Sequence, residues 1–253
     1  MLSLDSFYGE RYHVQNFITF VVTTAAALSL LSFFDYLANK KYVSSALSRK
    51  LAHIFTGPVF MLFWNAFSGR SPLESRLVAS VIPLAITLQF YLIGAGIIKN
   101  EAKVIALSRT GKREEILKGP LYYGIVFVVC TTLFWRNSPA GVMGLCVLCG
   151  GDGLADVIGR KYGRDKLGPW SNKSNKSIAG SLGMFFGGLS FSVVYLAMFQ
   201  CTGNFGPSFS VLNTLHIIIL INIVATFVEV VTTSDLDNIT VPAAVILLSI
   251  LFM

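Results

Sequence analysis

From Ser177 to Val228 the chain runs for 52 residues without an Asp, Glu, Lys or Arg. A bilayer crossing takes about 20 apolar residues. This stretch therefore predicts two crossing helices, broken at the polar Gly203-Asn204-Phe205-Gly206-Pro207-Ser208. The rest of the 253 residues has the same character: 13% are charged and 54% hydrophobic, against about 25% charged in soluble domains. So little polar surface cannot cover a soluble globule of this size. The expected fold class is an all-α integral membrane protein, a polytopic helical bundle of about 7–8 transmembrane helices.

Hydropathy places candidate spans near Phe17–Leu37, Leu51–Phe67, Leu77–Ile98, Leu121–Trp135, Ala140–Ile158, Ile178–Phe199, Val211–Val231 and Ile239–Met253. The fourth and eighth are short for a crossing. Residues 1–16 read as a short polar N-terminus and 17–253 as one multi-span domain. Met1 to Gln15 carries Asp5 and Glu10 and shows no basic leader composition, so no cleavable targeting segment is readable there. Cys146 and Cys149 stand in a CxxC spacing with no second pair and no neighbouring His, which predicts buried small hydrophobes rather than a metal site.

The basic residues sort by loop. Lys40, Lys41, Arg49 and Lys50 follow the first span; Lys99, Lys103, Arg109, Lys112, Arg113 and Lys118 follow the third; Arg160, Lys161, Arg164, Lys166, Lys173 and Lys176 follow the fifth. These are 16 of the 20 bases, all on one side of an eight-span topology, as positive-inside bias requires. The net charge of +7 is thus a topology signal, and no aromatic-and-basic module for nucleic acid is present.

That bias does not account for acids in apolar segments, which are costly and usually paired or functional. Asp152 and Asp156 lie four apart in VMGLCVLCGGDGLADVIGRK, Glu229 ends the apolar run before Val231, and Asp237-Asn238 follow eight residues on. Carboxylates, an Asn and several Lys and Arg on one face suit Mg²⁺ with substrate phosphates in its shell, and phosphoryl transfer needs little more. An ion path and structural ion pairs are the competing readings. No GxxxxGK[ST] is present. The tract from Gly159 to Gly163, with Lys173, Lys176, Ser177 and Gly180 beyond it, offers backbone and side-chain donors to a polyphosphate, while Gly183 and Gly187 read as a helix-packing face.

Several ordered blocks carry a likeness: SRKLAHI from Ser48, SRTGKREEILKGPLYY from Ser108, WRNSPAGV from Trp135, GGDGLADVIGRKYG from Gly150, NKSIAGS from Asn175 and LDNITVP from Leu236. From about Ser48 to Pro242 the chain resembles the polyprenol kinase family, specifically the plant phytol and farnesol kinases. The resemblance implies transfer of a phosphoryl group from CTP to the hydroxyl of an isoprenoid alcohol such as phytol, geranylgeraniol or farnesol, feeding tocopherol and isoprenoid salvage in a plastid membrane. Asp152, Ala155, Gly159 and Gly163 match the first half of the family's CTP pattern, and Lys176, Ser177 and Gly180 its second, so that 150–181 is the expected CTP region. Two departures stand out: the spacer before Asn175 is about three residues longer, duplicating Asn-Lys-Ser, and Leu236 replaces the first of two adjacent acids.

The expected roles follow residue by residue. Asp152 and Asp156 would hold Mg²⁺ or Mn²⁺; Arg160, Lys161 and either Lys173 or Lys176 would neutralise phosphate; Glu229 or Asp237 would be the base, with Asn238 beside it. Arg49, Lys50, His53, Arg109 and Arg113 are further nucleotide-contact candidates on the same face. The partners implied are CTP, the bilayer and a membrane-embedded alcohol. One rival is a CTP-using enzyme that makes a CDP-lipid, whose usual Pro-Gly-His-Gly and Asp-Arg-Asp signature is missing from Leu220–Met253. A transporter is the other; it would carry inverted repeats, and none is visible here.

Overall fold

The computed structural model describes residues 4–163, 167, 176–233 and 236–253, with side chains from Arg11 onward. Among these residues the chain is helical throughout: α1 (Leu4–Asn39), α2 (Ser45–Leu62), α3 (Pro72–Gly94), α4 (Glu101–Leu107), α5 (Gly119–Val129), α6 (Pro139–Cys146), α7 (Gly153–Tyr162), α8 (Ile178–Cys201), α9 (Val211–Val231) and α10 (Asp237–Phe252). Two π-helical turns, Cys130–Phe134 and Val147–Asp152, extend α5 and join α6 to α7. Local chemistry sets the boundaries. Ser44, Asn100, Ser177 and Ser210 cap α2, α4, α8 and α9 by accepting a backbone N–H with their side chains, and Pro opens α3, α5 and α6.

The bundle has a centre. Pro139–Tyr162, the α6–π–α7 rod, has 72% of its most apolar window buried, against 22% to 39% for the other long helices. Helices α2, α8 and α10 pack along it. Val142, Met143, Leu145, Cys146, Val147, Leu148 and Cys149 are all fully buried there, so Cys146 and Cys149 are the small core residues expected. The surrounding helices turn large apolar residues outward, among them Phe17, Leu84, Val194, Leu212 and Phe227. Such faces suit hydrocarbon rather than water.

Among the described residues, six helices are long and apolar enough to cross a membrane. The remaining two candidate spans fall short for stated reasons. α2 carries Ser45, Ser48, Arg49, Lys50 and His53 in its first three turns, and α10 is 16 residues long. The first span is also longer than its apolar core suggested: α1 is helical from Leu4, so part of the polar N-terminus belongs to the helix. Asn16 in that portion is buried and accepts from Ser68 N and Ser75 Oγ.

One end of the bundle is locked by polar contacts among short loops. Arg136 donates to the carbonyls of Trp64 and Phe67 at 2.6 and 2.9 Å, and the Trp64 and Trp135 rings lie 4.9 Å apart. The opposite end gathers the first turns of α2, α5, α8 and α10 and the last turns of α7 and α9. Arg49, Arg109 and Arg160, one from each of the three basic stretches, meet there.

Glycines let the central rod approach α8 closely. A Cβ on Gly187 would stand 2.4 Å from the Gly150 carbonyl oxygen, and one on Gly183 2.8 Å from that of Leu154. The obstruction is backbone in both cases, so it cannot be relieved by a rotamer change. We expect Gly187→Ala to destabilise the detergent-solubilised protein by about 1–3 kcal/mol. Gly206→Ala, at an exposed position with open space, should stay within about 0.5 kcal/mol. Thermal unfolding of the two variants checks this, and equal stability would refute the close-packing account.

Candidate active site

Asp152 sits on the last residue of a π turn, near the middle of the 24-residue Pro139–Tyr162 rod. Glu229 and Asp237 stand in the last turn of α9 and the first turn of α10, whereas Asp152 lies midway along its own rod. Ten residues of helix separate it from Tyr162, about 15 Å at 1.5 Å per residue. A carboxylate at that depth needs partners. Asp152 Oδ2 lies 2.9 Å from Lys50 Nζ and 3.3 Å from His53 Nε2. His53 Nε2 is also 3.0 Å from the Leu148 carbonyl. Both neighbours are acceptors, so Nε2 carries the proton and donates to them. The π turn assists here, because its wider winding releases carbonyls from the regular helical ladder.

A second charged group stands beside the first. Lys176, just ahead of α8, reaches Glu229 Oε1 at 2.7 Å and Asp237 Oδ2 at 3.6 Å, and also donates to the Glu229 backbone carbonyl. Asp152 and Lys50 act electrostatically on both Glu229 and Asp237, so the groups form one cluster. Side-chain exposure runs from 8% to 14% across Lys50, His53, Asp152, Lys176, Glu229 and Asp237. Two lysines, one histidine and three carboxyl groups thus share one nearly dry space. Asn238 closes the cluster toward α5. Its Nδ2 donates to the Gly119 carbonyl at 3.3 Å, while its Oδ1 is buried and has no donor among the described residues.

Asp152 and Asp156, expected to share a metal ion, each have a cationic side chain as partner. Asp156 pairs with Arg160 at 2.9 Å, whereas Asp152 takes Lys50 and His53. The two therefore serve separate cations. Among the described residues, no three of His, Cys, Asp and Glu form a metal-binding group. The oxygen donors still suit Mg²⁺, which is commonly held by one or two carboxylates and completed by substrate phosphates, and Asn238 Oδ1 is an acceptor without a donor among the described residues.

Arg49, Arg109 and Arg160 gather elsewhere, around a cavity of about 410 Å³ at the mouth of the basic face. Arg49 Nη1 donates to the Ser108 carbonyl at 2.6 Å. Burial, then the neighbouring Arg109 and Arg160 charges, push the Arg49 guanidinium below its ordinary value. Arg113 and Lys161 join neither group: Arg113 pairs with Glu114 at 3.1 Å, and Lys161 lies over the Tyr162 ring. Gly159 and Gly180 touch each other, with the space for a Cβ on Gly159 taken by the Gly180 Cα at 3.3 Å, so their observed part is helix packing. Gly163 closes α7 through its N–H to Gly159, and Ser177 caps α8. Lys173 lies outside the described residues.

Tyr123 was missed by sequence reasoning. Its Oη donates to the His53 carbonyl at 3.0 Å and lies 3.4 Å from Cys149 Sγ, and its ring centroid is 4.3 Å from that of His53. Gly57 makes room for it, since a Cβ there would stand 2.8 Å from the Tyr123 hydroxyl. The only signal was its place in the block SRTGKREEILKGPLYY, where an aromatic at apolar spacing reads as core or lipid-facing.

With this geometry in hand, comparison with curated proteins is informative. The chain is 39% identical over 233 residues to a probable chloroplastic phytol kinase of Triticum aestivum, covering 91% of this chain and 75% of the relative. It is 37% identical to the chloroplastic phytol kinase 1 of Arabidopsis thaliana, over 90% of this chain and 73% of the relative. It is also 35% identical to the chloroplastic farnesol kinase of Arabidopsis thaliana, over 92% and 74%. The chain belongs to the phytol and farnesol kinase family. No family model and no solved structure matches it. Within that family, the assignment of Asp152, Lys176, Glu229, Asp237 and Asn238 to one buried cluster rests on the geometry above.

The Tyr123–His53 stack yields a test. Tyr123→Phe keeps the ring and removes one hydrogen bond, which should cost about 1 kcal/mol; Tyr123→Ala removes the ring and should cost about 3–5 kcal/mol. Thermal unfolding in detergent separates the two, and equal losses would show that the stack does not hold α2 to α5.

Proposed function

We propose that the protein transfers the γ-phosphoryl group of CTP to the hydroxyl of an isoprenoid alcohol, giving the prenyl monophosphate and CDP. The observation that carries this reading is the nearly dry cluster of Lys50, Lys176, Asp152, Glu229, Asp237 and Asn238 where several helix ends converge around the central rod. Family membership supports it, because the relatives are named as phytol and farnesol kinases. Phosphoryl transfer demands positioned cations for the phosphate oxygens and a carboxylate for the attacking hydroxyl. Both are present within one cluster.

The roles are assigned as follows. When the donor arrives, Lys50 exchanges Asp152 for γ-phosphate oxygens, and Lys176 turns toward them from Asp237 while keeping Glu229. Glu229 is tied twice to Lys176, by side chain and carbonyl, whereas Asp237 is held at 3.6 Å. Asp237 is therefore the carboxylate that is freed, and it takes the proton of the prenol hydroxyl. The alcohol oxygen forms the new P–O bond as the bond from γ-phosphorus to the bridging oxygen breaks, and CDP leaves with that electron pair. Asp152, Glu229 and Asn238 Oδ1 are hard oxygen donors that would hold Mg²⁺, which would supply neutralisation of the triphosphate. His53 orients Asp152 through its Nε2–H. The apolar tail of the alcohol lies along the lipid-facing surface, which brings its hydroxyl to the cluster without a water-filled tunnel. A plastid membrane is the proposed location, in keeping with the chloroplastic relatives, and the product would serve tocopherol and isoprenoid salvage.

Proteoliposomes given CTP labelled at the γ-phosphate, Mg²⁺ and phytol, geranylgeraniol or farnesol should form labelled prenyl monophosphate. Asp237→Asn should lower kcat by roughly 10²–10⁴-fold with little change in the KM for CTP. The absence of any prenyl phosphate from folded, inserted wild-type protein would reject the activity, and full turnover in Asp237→Asn would reject its role as base.

A further inference from the structure

The loop Ser108–Gly111 is fixed by its own hydrogen bonds. The Glu115 carboxylate accepts from Arg109 N at 2.5 Å, Thr110 N at 3.1 Å and Thr110 Oγ1 at 2.6 Å. Ser108 Oγ accepts from Gly111 N at 3.0 Å and donates to the Val104 carbonyl at 2.6 Å. Gly111 has φ +81°, which a residue with a side chain adopts only with strain. Arg49 reaches across from α2 to the Ser108 carbonyl, and Arg160 lines the cavity from α7. Three guanidiniums thus border one space of about 410 Å³, from three separate parts of the chain.

Among the described residues these three guanidiniums face two carboxylates, Asp156 and Glu115, so one positive charge is left over. Asp156 is paired with Arg160, and Glu115 is committed to the loop's amides and hydroxyl. Like charges held together in this way call for an anion, and guanidiniums grip phosphate by paired N–H donors. Arg49 and Lys50 are consecutive on α2, so the pocket and the acid cluster each draw a cation from the same turn of that helix.

We propose that this cavity is the polyphosphate pocket of the site, in which Arg49, Arg109 and Arg160 hold the phosphates of the donor nucleotide while the terminal phosphate reaches Lys50. The inference rests on the kinase reading and adds to it a division of labour. The arginine pocket binds the donor, and the buried cluster performs the transfer. A nucleotide triphosphate matches three guanidiniums better than a lipid phosphodiester with its single charge.

The test uses the full-length protein in detergent, with inorganic tripolyphosphate as the probe and calorimetry as the readout. Arg109→Ala and Arg160→Ala should each raise the dissociation constant for tripolyphosphate at least tenfold. In the turnover assay they should raise the KM for CTP by a similar factor while leaving kcat and the KM for the alcohol within about twofold. Lys40→Ala removes a charge from the same face without bordering the cavity and should change neither quantity. Unaltered tripolyphosphate affinity in both arginine variants overturns the proposal. So does a wild-type protein that ignores tripolyphosphate and instead binds phosphatidic acid vesicles through these arginines. If the wild type makes no prenyl phosphate yet loses tripolyphosphate binding on Arg109→Ala, the kinase reading fails and the pocket stands.

Discussion

The ion pair between Lys50 and Asp152 is the constraint from which the site follows. Both groups are nearly dry, at 12% and 14% side-chain exposure. A charge in such surroundings is tolerated only when it is paired and its remaining valences are met. His53 meets the second need of Asp152, Leu148 and Tyr123 hold His53, and Gly57 makes space for Tyr123. The π turn that ends at Asp152 belongs to the same arrangement, since it supplies a carbonyl to His53. Substituting any one of these residues disturbs the others.

The two ends of the bundle are built differently. One is closed by Arg136 and the Trp64–Trp135 pair, while the end that carries the site brings together helix termini from distant parts of the chain. Small residues permit the approach: Gly150 and Gly187 bring the rod against α8, and Gly153 brings it against Ile54 of α2, where a Cβ would stand 2.2 Å from Ile54 Cγ1. Van der Waals fit of this kind is the main source of helix association in hydrocarbon. The glycines around Asp152 are thus explained by packing, before any contact with ligand is invoked.

Much of this was legible in the sequence. Uncharged runs located the helices because hydrocarbon tolerates few charges, and the lopsided distribution of Lys and Arg identified the face on which the site lies. Asp152, Glu229, Asp237 and Asn238, with either Lys173 or Lys176, are site candidates from acids in apolar segments and from family likeness. Their grouping was not legible. A spacing of four suggested that Asp152 and Asp156 act together, but side-chain direction depends on helix winding, and Asp152 belongs to a π turn whose presence no residue pattern announces. The choice of ion-pair partners, Lys50 for Asp152 and Lys176 for Glu229, joins residues 102 and 53 positions apart. Such pairings are fixed by tertiary packing. Tyr123 was hidden for the same reason, because its hydroxyl acts on a neighbouring helix.

The central claim is that Lys50 and Asp152 neutralise each other inside the bundle. A double-mutant cycle on the purified protein measures this directly, using Lys50→Met, Asp152→Asn and the pair together, followed by unfolding. Lys50→Met leaves a buried carboxylate without its lysine and should cost about 3–5 kcal/mol. The double variant should be more stable than Lys50→Met, with a coupling energy of about 1–3 kcal/mol. Strictly additive losses would contradict the account, since they would show that the two charges stand apart in the folded protein.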